Sequence, residues 1–162
     1  MRDRLEFPDG TVIEVVSSPA DPGTGPLELE FLLPHRCAAP PPHVHPGGQT
    51  ERFEVLEGEF ELLEGHTWHR VAAGSSLEVP PGIRHTFRNR SGAPVRVRNV
   101  HDPAHSFEAY IRGLHAIVRE AGGMGPRVAI PFAGLWRRHS DTIRPSDGAV
   151  KLAVALLGRF AR

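Results

Sequence analysis

Cysteine, net charge and long apolar runs are all scarce in this sequence. The single cysteine, Cys37, excludes an internal disulfide framework and a zinc site built from several cysteines. The 19 basic residues balance the 19 acidic ones, which leaves no electrostatic case for nucleic acid or an anionic membrane as a partner. The longest apolar run, Leu152–Leu157, is far shorter than the roughly 20 residues that cross a bilayer. The N-terminus has no apolar secretory segment. We therefore expect a cytoplasmic protein.

Length and composition predict a folded domain with many turns. The chain has 162 residues, 40% of them hydrophobic and 23% charged, which suits a globular protein with its own core. Glycine (17) and proline (16) together make up about one fifth of the residues, a proportion that favours short strands joined by frequent turns. Ten histidines are also many for this length, and they are unevenly distributed.

Residues 5–101 show the periodicity of short β-strands. Apolar and polar residues alternate in Leu27–Leu33, while Pro8–Gly10 and Glu57–Gly58 are hairpin turn signals. Short strands at intervals of roughly ten residues are typical of a sandwich or small barrel. The predicted strands cover residues 5–7, 11–16, 27–33, 50–56, 59–63, 68–72, 76–79, 83–88 and 94–100.

After residue 101 the apolar period changes to the three- and four-residue spacing of a helix. Asp102 is a suitable N-cap and Pro103 suits the first helical position, while Gly122 predicts the C-terminal end of this helix. The segment 127–139 stays ambiguous because a proline interrupts it. The sequence therefore predicts two helices, over residues 104–121 and 149–160.

The chain thus divides into a β-barrel with N-terminal strands, residues 1–101, and a helical extension, residues 102–162. A short helical extension cannot bury its own apolar face, so we expect it to pack on the barrel or on a second subunit. Because it carries more apolar surface than it can cover and barrels pair through sheet edges, we expect a homodimer.

Two segments contain the residues that indicate a functional site. The first contains two histidines one residue apart, His43 and His45, followed by Glu51. Alternate residues of a strand project to the same side, so the two histidines point together. The second segment contains, in order, Gly74, Pro80, Gly82, His85 and Asn89.

The acidic residue of the first segment indicates a cation site. Glu51 shares a strand face with Phe53 and Val55, and His85 shares one with Phe87. A carboxylate among apolar side chains inside a barrel is costly unless a cation compensates its charge. Three imidazoles and one carboxylate suit one divalent ion such as Fe, Mn, Ni, Cu or Zn. Four ligands leave coordination positions open for water, O₂ or a substrate.

In these two segments the sequence resembles the cupin superfamily. The second segment matches every fixed position of the second family motif. The first departs from its motif because Cys37 replaces the leading glycine and five residues, rather than three or four, separate His45 from Glu51. Gln49 stands at the three-residue spacing and is the alternate ligand. We favour Glu51, since a carboxylate is the better ligand and the glycine pair 47–48 can absorb the extra length as a bulge.

The resemblance covers residues 25–101 and implies a mainly β, jelly-roll barrel of the cupin type with C-terminal α-helices appended. It implies one metal ion inside the barrel, next to a pocket for a small molecule. The metal ligands that it implies are His43, His45, Glu51 and His85. The candidate pocket-lining residues are Phe53, Val55, Phe87 and His101. The alternative for the first three is plain barrel core, and His101 either lines the pocket mouth or caps the following helix.

Two functions of different class follow from such a site. The first is a metal-dependent enzyme, with an oxygenase as the leading type and an isomerase or lyase as variants. The second is a non-catalytic cupin that binds or senses a small molecule. The barrel segment offers no lysine or tyrosine as a general acid or base, since Lys151 and Tyr110 lie in the extension. A third interpretation is a barrel without metal, in which the three histidines are buried and hydrogen-bonded.

Overall fold

The computed structural model describes residues 3–21, 23–37 and 40–161. Within these ranges the chain forms two antiparallel sheets followed by helices. The strands are β1 (Asp3–Glu6), β2 (Val12–Ser17), β3 (Leu27–Leu33), β4 (His43–Val44), β5 (Thr50–Glu57), β6 (Glu59–Glu64), β7 (Thr67–Ala72), β8 (Ser76–Val79), β9 (His85–Arg88), β10 (Val95–Asp102) and β11 (Arg144–Pro145). The helices are α1 (Phe107–Ala121), α2 (Ala129–Arg138) and α3 (Gly148–Leu157). The predicted mainly β architecture with C-terminal helices is confirmed.

The two sheets face each other across a shared core. One sheet has the strand order β1-β2-β3-β10-β5-β8, and the other has the order β11-β4-β9-β6-β7. Aromatic side chains join them: the ring centroids of Phe53 and Phe60 lie 5.8 Å apart, and those of Phe31 and Phe87 lie 6.0 Å apart. Core packing therefore fixes the position of one sheet relative to the other.

Strand alternation decides which residues enter this core. In β3, Leu27, Leu29, Phe31 and Leu33 are buried, and Leu32 is exposed. The same alternation buries Glu51 of β5 together with its apolar neighbours. In β10 it buries Asn99 and His101. Polar side chains thus point into the barrel at fixed positions because the strand period puts them there.

The predicted start of the first helix is wrong. Asp102 is the last residue of β10, where it pairs with Thr50, so it cannot cap a helix. Helix α1 begins at Phe107, with Ser106 at the N-cap position. Its predicted C-terminal end is correct, since Gly122 adopts a left-handed conformation with φ 75°.

The ambiguous segment contains α2. Pro131 lies in the first turn of this helix, where a missing backbone N–H removes no intrahelical hydrogen bond. Helix α2 lies close to α1 at Gly113, where an added Cβ would meet the Leu135 side chain at 2.5 Å. The short strand β11, which the sequence did not predict, follows α2 and pairs with β4.

The helical extension contributes to the barrel core. Phe107, Tyr110 and Ile111 of α1 belong to the same buried cluster as the inner residues of both sheets. Helix α3 has no buried residue, and its Leu152 and Leu156 are exposed. The homodimer stays a prediction. None of the helices in the described ranges has both the length and the apolar character needed to span a bilayer.

Candidate metal centre

Both sheets contribute side chains to one buried cluster. His43 opens β4 and lies directly opposite His85 of β9 in the second sheet. Glu51 comes from β5 in the first sheet, where its register partner is His101 of β10. His45 follows β4 by one residue, so the extended backbone brings it to the side of His43, as the one-residue spacing predicts.

The four predicted ligands converge. His43, His45, Glu51 and His85 are all buried, and one ligand atom of each lies within 4.8 Å of the others. Oε2 of Glu51 is 2.7 Å from Nε2 of His85 and 3.1 Å from Nε2 of His45. Three imidazoles and a carboxylate at these separations are positioned to bind a divalent metal ion.

Backbone carbonyls fix the orientation of all three imidazoles. Nδ1 of His43 donates to the Pro41 carbonyl at 2.9 Å, and Nδ1 of His85 donates to the Ile83 carbonyl at 2.8 Å. Nδ1 of His45 donates to the Thr142 carbonyl at 2.5 Å. A carbonyl only accepts, so each Nδ1 carries a hydrogen, and each ring in its neutral form keeps the Nε2 lone pair for a metal.

The Nε2 atom of one of these imidazoles has no hydrogen-bond partner among the described residues. Nε2 of His85 is buried and, among the described residues, makes no hydrogen bond, although the Glu51 carboxylate is close. A buried polar atom without a partner is costly and calls for an explanation. A cation between the ring and the carboxylate would supply it, so the donor set fits a metal ion.

The local electrostatics favour the ligand forms of Glu51 and His43. Burial alone would raise the pKa of Glu51, but the neighbouring imidazoles, His101 first, outweigh burial and hold the pKa well below its usual range. Burial, together with His85 and His45, lowers the pKa of His43. For His85, burial would lower the pKa, but the Glu51 carboxylate outweighs it and raises the pKa. The carboxylate is therefore ionised and His43 is neutral, as metal binding requires.

Two residues of β10 lie next to the other oxygen of the carboxylate. Nδ2 of Asn99 donates to Oε1 of Glu51 at 2.8 Å, and Nε2 of His101 lies 3.3 Å from the same oxygen. His101 stacks on Phe107 of α1 with ring centroids 3.5 Å apart, and burial lowers the pKa of His101 to about 4. Asn99 was not among the residues predicted from the sequence. The alternation of apolar and polar residues in β10 could have indicated it, because Asn99 shares a strand face with Val97 and His101.

Gln49, the alternate ligand, has its amide occupied by other partners. Its Nε2 donates to the carbonyls of Pro103 at 2.6 Å and Ala104 at 3.0 Å. Its Oε1 accepts from the Thr142 hydroxyl at 2.8 Å. Both glycines of the preceding pair, Gly47 and Gly48, have positive φ, which only a residue without Cβ adopts at little cost. Gln49 thus joins the start of β5 to the helical extension.

A cavity of about 370 Å³ adjoins the cluster, and His43 and Glu51 form part of its wall. Of the predicted pocket residues, Phe87 lines this cavity. Phe53 and Val55 are fully buried in the barrel core, and His101 contacts Glu51 and α1. Helix α1 forms another part of the wall. Its apolar face, interpreted from sequence as core or interface, therefore also borders the site.

Comparison with known proteins agrees with this architecture. Residues 29–101 match the model of the cupin domain. KdgF from Halomonas sp. is 16% identical, with 61% of this chain and 84% of that chain covered and a TM-score of 0.51. An RmlC-like cupin from Shewanella frigidimarina is also 16% identical, with 62% and 83% covered and a TM-score of 0.50. Identities this low show a shared fold alone. No curated protein matches the sequence.

Proposed function

Since residues 29–101 make this chain a member of the cupin superfamily, we propose that it is a metal-dependent enzyme with one divalent ion held by His43, His45, Glu51 and His85. The observation that carries the proposal is the convergence of three oriented imidazoles and an ionised carboxylate beside a cavity, whose wall includes His43 and Glu51. The bound ion would supply Lewis-acid or redox chemistry.

The residues around the ion have separable roles in this proposal. The carbonyls of Pro41, Ile83 and Thr142 orient the imidazoles, while Asn99 orients the carboxylate. Because His43 and Glu51 form part of the cavity wall, a molecule in the cavity lies beside the ligands. Apolar residues of α1 form part of the cavity wall and would limit the access of water to a bound molecule.

An oxygenase is the reaction class that this arrangement supports best. Four protein ligands leave coordination positions open, and an apolar cavity beside them suits both O₂ and an apolar substrate. No general base is required of the wall in this class of chemistry, because a bound metal would supply the activation.

One observation favours the alternative, a cupin that binds a small molecule without turnover. Outside the metal cluster, the ionisable side chains among the described lining residues are Asp9, Cys37 and Tyr110. Burial raises the pKa of Cys37 and of Tyr110, so both stay protonated, and Asp9 is exposed and bonded to Thr11. Outside the metal cluster, the described wall residues therefore offer no general base, and a protein that binds its ligand without turnover needs none.

The test combines metal analysis with O₂ consumption. We expect the wild-type protein to carry close to one metal ion per chain and to consume O₂ with a catechol-like or flavonol-like substrate. The His85→Ala variant should lose both properties, whereas His66→Ala, a matched change at an exposed histidine, should keep them. Metal-dependent ligand binding without product over hours would favour the non-catalytic alternative. Absence of metal before and after reconstitution would contradict both.

A further inference from the structure

The wall of the cavity is mainly aromatic and aliphatic. Phe31 and Phe87 come from the sheets, and Phe107 and Ile111 come from α1. Phe132 of α2 adds another ring. Rings of this kind stack on flat ring systems and gain from burying apolar surface. The lining thus favours a ligand that is largely apolar and contains a ring.

Outside the metal cluster, the side chains of the wall favour an uncharged ligand over an ionic one. Neither lysine nor arginine occurs among the described residues that line the cavity. The cavity wall therefore supplies no cationic side chain for an anionic ligand, and burying an unpaired charge is costly. Asp9 offers little to a cationic ligand, because its carboxylate is exposed and already accepts hydrogen bonds from Thr11. A divalent ion in the metal cluster would also repel a cation. An uncharged ligand fits best.

Tyr110 supplies a hydrogen-bond donor. Its side chain is buried and lines the cavity, and its hydroxyl oxygen accepts a hydrogen bond from Nε1 of Trp136 at 2.7 Å. Within the described ranges, the hydroxyl hydrogen itself has no acceptor. A buried donor without an acceptor is unfavourable, so an oxygen atom of a ligand would satisfy it.

We propose that the cavity binds an uncharged, largely apolar ring compound whose carbonyl or hydroxyl oxygen accepts a hydrogen bond from Tyr110. This inference rests on the proposed function, because the metal-cluster residues His43 and Glu51 belong to the same wall. It adds the substrate class and assigns to Tyr110 of α1 a role in orienting the ligand. Trp136 holds the Tyr110 hydroxyl in place from α2.

Three naphthalene derivatives test the inference by isothermal calorimetry on metal-loaded and metal-free protein. Naphthalene has no acceptor, 2-acetonaphthone carries an uncharged carbonyl, and 2-naphthoate carries a negative charge. We expect 2-acetonaphthone to bind most tightly and, in metal-free protein, 2-naphthoate to bind on the order of tenfold more weakly. In Tyr110→Phe the affinity for 2-acetonaphthone should fall about five-fold, while that for naphthalene should not change. Glu120→Ala, an exposed change on α1, should leave all affinities as they are.

Either of two comparisons between the probes would overturn the inference. The first is 2-naphthoate binding to metal-free protein as tightly as the ketone. The second is an equal loss of naphthalene and ketone affinity in Tyr110→Phe, which would make the tyrosine structural only. Measuring the metal content of the same samples distinguishes a failure of this inference from a failure of the proposed metal centre. Metal-loaded protein that binds no probe contradicts the inference alone. Protein that cannot be loaded but still binds the ketone in a Tyr110-dependent way contradicts the metal centre alone.

Discussion

The backbone carbonyl of Thr142 accepts a hydrogen bond from Nδ1 of His45 at 2.5 Å, across a sequence separation of 97 residues. The hydroxyl of the same threonine donates to Gln49, which also holds the carbonyls of Pro103 and Ala104. The segment after α2 thus orients a metal-cluster imidazole directly. The helical extension therefore contributes to the site itself and, through α1, to the wall of the adjoining cavity.

Asn99 should control the affinity for the metal ion. Its amide fixes Oε1 of Glu51, and loss of such an outer partner typically costs roughly 10- to 100-fold in metal affinity. We expect Asn99→Leu to weaken metal binding to this extent, measured by competition with a chelator. Arg98→Ala, at the exposed neighbouring position, should not change the affinity. Equal affinities for the Asn99 variant and the wild type would show that the carboxylate needs no support from β10.

Gln49 should matter for stability and not for metal stoichiometry. Gln49→Leu leaves the Pro103 carbonyl without its donor and the buried Thr142 hydroxyl without its acceptor, and we expect it to lower the free energy of unfolding by about 2–3 kcal/mol. Urea denaturation measures this loss, with Thr50→Ala, which removes only an exposed hydrogen bond, as the control. The variant should still bind one metal ion per chain. If the metal were lost from folded Gln49→Leu protein, Gln49 would be a ligand after all.

Several features were predictable because they depend on local sequence. The alternation in Leu27–Leu33 predicts a strand with one buried face, and the spacing of His43 and His45 predicts two imidazoles on one side. The resemblance to cupins supplied His85, since its motif positions are local too. These residues were identified without any knowledge of tertiary packing.

Other features depend on distant parts of the chain and could not be predicted in this way. The β10 pairing of Asp102 with Thr50 overrides its local suitability as an N-cap. The bond between His45 and Thr142 exists only because the segment after α2 returns to β4. Tyr110 has the spacing of an ordinary core residue, and its place at the cavity follows from how α1 packs on the sheets.

Acid should weaken the contact that joins the N-terminus of α1 to the segment after α2 at Asp141. This carboxylate accepts hydrogen bonds from the backbone N–H of Ser106 at 3.0 Å and its hydroxyl at 2.6 Å. Partial burial alone would raise the pKa of Asp141, but the bonds from Ser106 outweigh burial and lower it. Because the folded pKa lies below the unfolded value of about 3.9, the stabilisation is present above that pH and is lost as the pH falls.

The Asp141→Asn variant tests this dependence. We expect it to be slightly less stable than the wild type at pH 7 and the difference to shrink between about pH 4 and pH 2 as the wild-type carboxyl takes up its proton. Thermal unfolding at a series of pH values measures the difference. A gap that stays constant over this range would mean that the carboxylate charge does not contribute.

The most direct test of the metal centre is an anomalous-scattering map from crystals of metal-reconstituted protein. We predict one peak per chain, at about 2.0–2.2 Å from Nε2 of His43, His45 and His85 and from the carboxylate of Glu51, and its disappearance in His85→Ala. Reconstituted crystals with no peak among these four side chains, or with the ion bound elsewhere, would contradict the account.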